Sequence, residues 1–188
     1  MEIHPKNSNF QVSFRHPCLD DGIAIHTLVA QSPPLDLNSS YLYFLQASHF
    51  AETCLVAEYN NQIVGFVSGY LRPDDNSSLF IWQLVVDKSM RGQGLAQKML
   101  NNLASDVAQQ TELTSVCCTI SPSNKASQGV FYRFAEKLDL TVEVTDFLTM
   151  QHFGETDHEE EQLYTLSSKT KQPLKPTSGD NHVITRTI

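Results

Sequence analysis

The residues Arg91-Gly92-Gln93-Gly94-Leu95-Ala96 follow an apolar strand candidate, Phe80 to Val86, and lead directly into a helical pattern. A strand, a glycine-bearing turn and a helix N-terminus together suit a phosphorylated ligand. The first turn of a helix leaves backbone N–H groups unpaired and carries partial positive charge, so an anion docks there readily. Gly92 and Gly94 lack a Cβ, which lets a ligand approach the main chain closely. Behind the turn, Leu95, Met99, Leu100, Leu103 and Val107 recur at the three-to-four spacing of an amphipathic helix. The turn has no Lys-Ser/Thr ending of a nucleoside-triphosphate loop, and its glycines are not spaced as in a dinucleotide fingerprint. The competing reading is an ordinary strand-to-helix turn that contains two glycines.

The elements that must position this turn read as follows. Val12 to Arg15 is a short strand, and a helix capped by Asp20 or Asp21 runs to about Ala30, where Ser32-Pro33-Pro34 stops it. A second helix begins at Asn38 or Ser39 and carries Leu42, Leu45 and Phe50. Thr53 to Tyr59 and Ile63 to Leu71 form a hairpin about Asn60-Asn61, and Arg72 to Ser78 reads as a loop. The long helix after the turn reaches about Gln109. Ser115 to Ile120 is a strand, Asn124 to Leu138 a helix and Thr141 to Val144 a strand. Asp146 to Glu160 is a long loop of the kind that often carries function, and Gln162 to Leu166 is a last strand. Residues 167–188 are rich in Ser, Thr, Lys and Pro and read as a disordered tail behind a single domain of residues 10–166.

The chain of 188 residues is 40% hydrophobic, enough for one real core, and carries a formal net charge of −8. That charge argues against a nucleic-acid partner, which calls for a basic surface. No apolar run approaches the roughly 18 residues of a membrane span. The N-terminus, Met1 to Asn9, is polar, without the apolar region of a signal peptide. Cys18, Cys54, Cys117 and Cys118 show no Cys-x-x-Cys spacing and are expected to be buried, reduced thiols of a cytoplasmic protein. In an acidic chain, positive potential for an anionic ligand must be gathered locally, and Lys88, Arg91 and Lys98 flank the glycine turn.

The turn resembles the pyrophosphate-binding motif of the GCN5-related N-acetyltransferases: Arg or Gln, two residues, Gly, one residue, then Gly or Ala, here Arg91, Gly94 and Ala96. The element order matches that fold from about Val12 to Leu166. The resemblance implies a mixed α/β (α+β) fold with a central, mostly antiparallel sheet flanked by helices, and acetyl-CoA as cosubstrate with no metal. It places Arg91, Gly92, Gln93, Gly94, Leu95 and Ala96 at the pyrophosphate. Leu84, Val85 and Val86 would lie along pantetheine, Leu84 and Val86 through main-chain hydrogen bonds. Asn124 and Ser127 would touch the cofactor arm, Asn124 also capping its helix. Many members carry a Tyr about seven residues after that Asn, to protonate the leaving thiolate. This chain has Phe131 there, which by the resemblance would line the cofactor site without a hydroxyl. Tyr132 is one step, about 100°, further round the helix, which leaves a Tyr general acid in question.

A narrower resemblance lies in the combination of Leu35-Asp36-Leu37-Asn38-Ser39-Ser40-Tyr41, Phe80-Ile81-Trp82-Gln83, Ser121-Pro122-Ser123-Asn124-Lys125-Ala126-Ser127, Phe147 and His158-Glu159-Glu160-Glu161. Together they are similar to the diaminobutyrate acetyltransferases of ectoine synthesis. The implied reaction is acetyl transfer to the γ-amine of 2,4-diaminobutyrate, in a homodimeric enzyme. An ammonium has no lone pair at neutral pH and must lose a proton before attack. Asp36 and Glu161 are the expected partners of the ammonium groups, with Glu161 relaying the γ-proton. His158 is a second candidate, as base or carboxylate contact, and Trp82 and Gln83 complete the acceptor wall. Alternation would place Glu159 and Glu161 on one face. Plainer readings stand beside these: Asp36 as a helix cap, the glutamates as a solvated loop, Trp82 as core, and His152 and His158 with the glutamates as metal ligands. At the level of function the alternatives are an N-acetyltransferase for another amine or peptide, and a non-catalytic acyl-CoA sensor.

Overall fold

The computed structural model of the chain describes residues 12–154, 158–170 and 172–175. The polar segment Met1 to Asn9 and the tail from 176 onward lie outside them. In order, the elements are β1 (Ser13–Arg15), α1 (Gly22–Ala30), α2 (Ser40–Gln46), β2 (Cys54–Tyr59), β3 (Gln62–Arg72), β4 (Asp75–Val86), α3 (Leu95–Gln110), β5 (Ser115–Ile120), α4 (Lys125–Lys137), β6 (Leu140–Leu148) and β7 (Glu161–Ser168). Among the described residues seven strands form one sheet in the order β1-β2-β3-β4-β5-β7-β6. Every pairing is antiparallel except β4 with β5. The expected fold class is therefore the one observed.

Alternation along the strands divides the apolar residues between two layers. Leu55 and Ala57 of β2 join Val67 of β3, Met99, Leu100 and Leu103 of α3 and Phe134 of α4 in the larger core. Cys54 and Val56, on the opposite face, join Phe66, Val85, Ile25 and Val29 of α1 and Tyr43 of α2. Arg15 binds Asp21 at 2.6 Å and Glu58 at 2.9 Å, tying β1, the start of α1 and β2 together. Asn60 and Asn61 make the β2–β3 turn with φ of 51° and 59°, a left-handed pair that Asn tolerates.

Several boundaries differ from the sequence expectation. The supposed loop Arg72 to Ser78 is a tight turn, because β4 already begins at Asp75 and Arg72 pairs with it. Arg72 also closes that turn with a 2.6 Å ion pair to Asp74. Helix α2 ends at Gln46, which leaves Phe50 outside it and exposed. Strand β6 runs on to Leu148, so the loop before β7 is shorter than expected and opens with a 3₁₀ turn at Met150–Phe153. Order also extends beyond 166. Ser167 pairs with Ser115, and Leu174 is buried in the larger core with its N–H donating to the Leu113 carbonyl at 2.7 Å. The polar composition of the segment masked that one apolar anchor. Cys54, Cys117 and Cys118 are buried free thiols, whereas Cys18 is exposed, just before the turn that opens α1. Burial pushes the Cys54 thiol up to about 12, which keeps it inert. No helix among the described residues is long and apolar enough to cross a membrane.

Candidate active site

A bulge and a divergence in the middle of the sheet create the site. On β3 and β4, Ser68 pairs with Gln83 but Gly69 pairs with Ile81, so Trp82 is the extra residue of a β-bulge. Gly69 suits its place opposite: a Cβ there would meet the Phe80 carbonyl oxygen at 2.6 Å. The bulge reverses the parity of the strand. Leu79 and Ile81 face the larger core before it, and Leu84 and Val86 pack on that core after it, with Val85 now in the smaller one. The parallel pairing of β4 with β5 stops at Ile81 and Cys118, although both strands continue. Beyond that point Thr119 and Ile120 pair only toward β7.

The strands thus separate into a cleft with backbone on its walls. The N–H of Asp87 donates to the Val64 carbonyl at 2.8 Å, so residue 87 addresses β3. By alternation Val85 does the same, and the backbone groups of Leu84 and Val86 point into the cleft. Val85, expected beside them, turns its backbone to β3 and its side chain beneath α1, and so forms the back of the wall.

At the mouth of the cleft lies the glycine turn. Asp87 accepts from the Ser89 N–H at 2.8 Å and from the Ser89 hydroxyl, contacts that hold its carboxyl below the ordinary range and fix the chain entering the turn. Gly92 and Gly94 adopt φ of 77° and 75°, the left-handed region where a side chain is strained. Nothing lies within 4 Å of where their Cβ atoms would be. Gly94 is the N-cap of α3, so the free N–H groups of the first turn, beginning with Leu95 and Ala96, open onto unobstructed space. The Leu95 side chain itself is core. Arg91 folds back, its Nε donating to the Val86 carbonyl at 3.0 Å, and Gln93 Nε2 donates to the Ser89 carbonyl at 3.3 Å.

The other wall ends at α4. Asn124 caps this helix by accepting from the Ser127 N–H at 3.0 Å. Phe131 is 4% exposed and packs into the core, with no polar group to protonate a thiolate. Tyr132, one step round the helix, lies edge-on against Tyr164, ring centroids 6.1 Å apart.

Two loops meet on the far side of the sheet. Between α1 and α2, Asp36 presents a carboxylate that is 80% exposed, with Oδ2 3.4 Å from His158 Nε2. It is not a helix cap, since Ser39 holds that position. His158 stacks on Phe153 at 3.9 Å, and its Nδ1 faces the Glu159 carbonyl oxygen at 2.7 Å. Both ring nitrogens thus address oxygen acceptors, which suits a charged imidazolium that donates twice. Its pKa is raised above the ordinary value, chiefly by the Glu159 carbonyl; desolvation opposes this, and the carboxylates of Asp36 and Glu161 reinforce it. A base at this position would have to give up those bonds, so the geometry favours His158 as a donor.

A stability consequence follows. Because the folded pKa is raised, the His158 contribution is fully present below the unfolded imidazole pKa and is lost as pH rises through the folded value. Melting temperatures across about pH 5.5 to 8.5 should fall toward the alkaline end in the wild type. The His158→Asn variant should show a flatter profile over that range, and parallel profiles would contradict the assignment.

Glu161, the first residue of β7, pairs with Leu148 of β6. Its carboxylate acts electrostatically on both His158 and Cys118. Gln162 is the last β7 residue paired with β5, opposite Ile120, so Glu161 lies just past that pairing, three residues after His158. Glu159 is placed differently from the alternation expectation. It precedes the strand, and its carboxylate accepts from the Ser123 N–H at 3.0 Å and from the Ser123 hydroxyl, bracing the loop against the turn beside Asn124. Trp82 is half-exposed and meets Tyr70 edge-on at 6.2 Å, so it is not core. Gln83 is buried and donates from Nε2 to the Asp36 carbonyl at 2.9 Å. Neither the Glu159–Ser123 brace nor the Phe153–His158 stack was readable in the sequence, since each joins a loop residue to a partner that only folding selects. His152 accepts from the Thr149 N–H at 3.0 Å, and no group of three or more His, Cys, Asp or Glu side chains that could hold a metal occurs among the described residues.

Residues 23–135 match the Acetyltransferase (GNAT) family. The chain belongs to the GNAT acetyltransferase family. Within it, the protein is 44% identical over 155 residues to the L-2,4-diaminobutyric acid acetyltransferase of Vibrio cholerae serotype O1, an alignment covering 81% of this chain and 88% of that protein. It is 40% identical to the enzyme of the same name from Marinococcus halophilus over 85% of this chain and 92% of that one. Among solved structures it superposes with a TM-score of 0.81 on the diaminobutyrate acetyltransferase EctA from Paenibacillus lautus, determined with L-2,4-diaminobutyric acid and coenzyme A. That match has 33% identity and covers 91% of this chain and 100% of the other. The ribosomal-protein-S18-alanine N-acetyltransferase from Escherichia coli shares the GNAT fold at a TM-score of 0.59 and 13% identity. The cleft between β4 and β5 and the turn at Gly92 and Gly94 are thus parts of a GNAT acetyltransferase.

Proposed function

We propose that this protein transfers the acetyl group of acetyl-CoA to the γ-amine of L-2,4-diaminobutyrate, by direct attack in a ternary complex. The observation that carries the reading is the meeting of Asp36 and His158, 3.4 Å apart, on loops held beside the cleft strand by the bond from Gln83 to the Asp36 carbonyl, with Glu161 opening β7 three residues after His158. In this reading the first turn of α3 receives the pyrophosphate, and the backbone of Leu84 and Val86 receives the pantetheine arm, as a strand would. A main-chain N–H in the same cleft polarises the thioester carbonyl. Asp36 turns from His158 to hold the ammonium that does not react, which releases the His158 Nε2–H to donate to the substrate carboxylate, and Trp82 bounds the acceptor space. Glu161 takes the proton of the reacting ammonium, directly or through a water. With Phe131 in place of a hydroxyl-bearing residue, the CoA thiolate departs unprotonated or is protonated by water. The similarity to diaminobutyrate acetyltransferases supports this acceptor and a place in ectoine synthesis. The same reading takes the protein as a cytoplasmic homodimer.

The deciding experiment is release of free thiol from acetyl-CoA in the presence of diaminobutyrate, ornithine or putrescine, with NMR of the product. Turnover should be fastest with diaminobutyrate and the acetyl group should be on Nγ. Equal rates with the other amines would assign a different acceptor, and CoA binding without turnover would mark an acyl-CoA sensor. In the same assay Asp36→Ala should raise KM for diaminobutyrate by about 10- to 100-fold, the range for losing one hydrogen bond to a charged group. CoA affinity should stay within about twofold, and an equal loss of both would remove Asp36 from the acceptor site.

A further inference from the structure

Gln83 lies against the loop between α1 and α2 that carries Asp36. Its position follows from the bulge at Trp82. Without the extra residue, position 83 would keep the parity of Leu79 and Ile81 and face the larger core. With it, Gln83 faces the layer of α1 and α2, opposite Ser68 on β3. The residue is 9% exposed, and its Nε2 donates to the main-chain carbonyl of Asp36 at 2.9 Å.

The α1–α2 loop is otherwise held on either side of Asp36, where the Leu35 N–H donates to the Ser32 carbonyl and the Asn38 N–H to the Tyr43 hydroxyl. The bond from Gln83 is therefore made at the residue whose carboxylate faces His158. An apolar side chain would fill position 83 without the cost of desolvating an amide. What the amide adds is this one directed contact.

We propose that Gln83 is a positioning residue. It fixes the place of the Asp36 carboxylate through that residue's own carbonyl, and so sets affinity for the ammonium of the acceptor without touching it. This rests on the reading of Asp36 as an acceptor contact. It also changes the role expected for Gln83, from a substrate ligand to the support of one.

The test uses Gln83→Met, which keeps the volume and loses the donor, and Gln83→Glu, which keeps the shape and turns an acceptor toward the Asp36 carbonyl. Both should raise KM for diaminobutyrate on the order of tenfold, the upper range for one neutral hydrogen bond. CoA affinity should be unchanged and kcat within about twofold. In an Asp36→Ala background, Gln83→Met should have no further effect on KM, because the group it places is gone. An unchanged KM in both single variants, or a full effect that persists in the Asp36→Ala background, overturns the proposal. Hydrogen exchange separates it from the reading of the reaction. The amides of residues 35–38 should lose protection in Gln83→Met whichever amine the enzyme acetylates, and unaltered protection there also overturns the proposal. Lost protection together with no turnover of diaminobutyrate by the wild type would leave the role of Gln83 in holding the loop intact and refute the acceptor.

Discussion

Glu161→Gln should lower kcat for diaminobutyrate by about 10²- to 10⁴-fold, the usual range for removal of a general base. Gln keeps the size of the side chain and one acceptor oxygen but cannot take a proton. The reacting group is an alkyl ammonium with a pKa near 10, so only about one molecule in 10³ carries a free lone pair at neutral pH. The wild type makes that lone pair in place. The variant must wait for amine already deprotonated in solution, so its rate should climb with pH about tenfold per unit until the amine titrates. The wild-type rate should level off far earlier. Binding of CoA, held by the cleft and the turn, should not change. Activity within about threefold of wild type, with the same pH profile, would show that another group or a water chain takes the proton.

The second large effect belongs to the donor side. Gly94→Val should weaken CoA binding at least tenfold. Part of this is conformational: φ is 75° at the N-cap of α3, where a β-branched residue costs about 1–2 kcal/mol or more. The melting temperature should drop by several degrees for that reason alone. The larger part is steric. The space above Gly94 is empty of protein atoms, and a Val side chain would fill it over the free N–H groups of the first turn. The two parts separate with S-acetylpantetheine, which carries the thioester arm without the pyrophosphate. Its KM should change little in the variant while that of acetyl-CoA rises. A parallel loss with both donors would assign the whole effect to damage of the turn and remove the phosphate cradle.

Much of this architecture is carried by local signals. The apolar period after Gly94, the hairpin at Asn60-Asn61 and the strand Ser115–Ile120 were readable because periodicity and turn chemistry operate over a few residues. Asp36, His158 and Glu161 were singled out by resemblance, and folding brings Asp36 within 3.4 Å of His158. The failures also have local causes. The polar segment after Arg72 concealed the start of β4, because its alternation is weak where the strand is exposed. Asp21 and Asn124 were legible as helix starts, whereas Leu174 was a single apolar residue in a polar stretch, and no pattern announces that.

What the sequence by itself determined is the set of parts: a glycine turn whose left-handed φ values exclude most side chains, a helix with free N–H groups behind it, and carboxylates of the type an ammonium needs. What only the tertiary structure decided is how those parts face one another. The bulge at Trp82 depends on the register of β3 against β4, and the cleft on the end of pairing between Ile81 and Cys118, 37 positions apart along the chain. Such registers are settled by the packing of two cores at once, and no short window of residues contains them. They turn the backbone of Leu84 and Val86 into the cleft and send Gln83 to the Asp36 carbonyl.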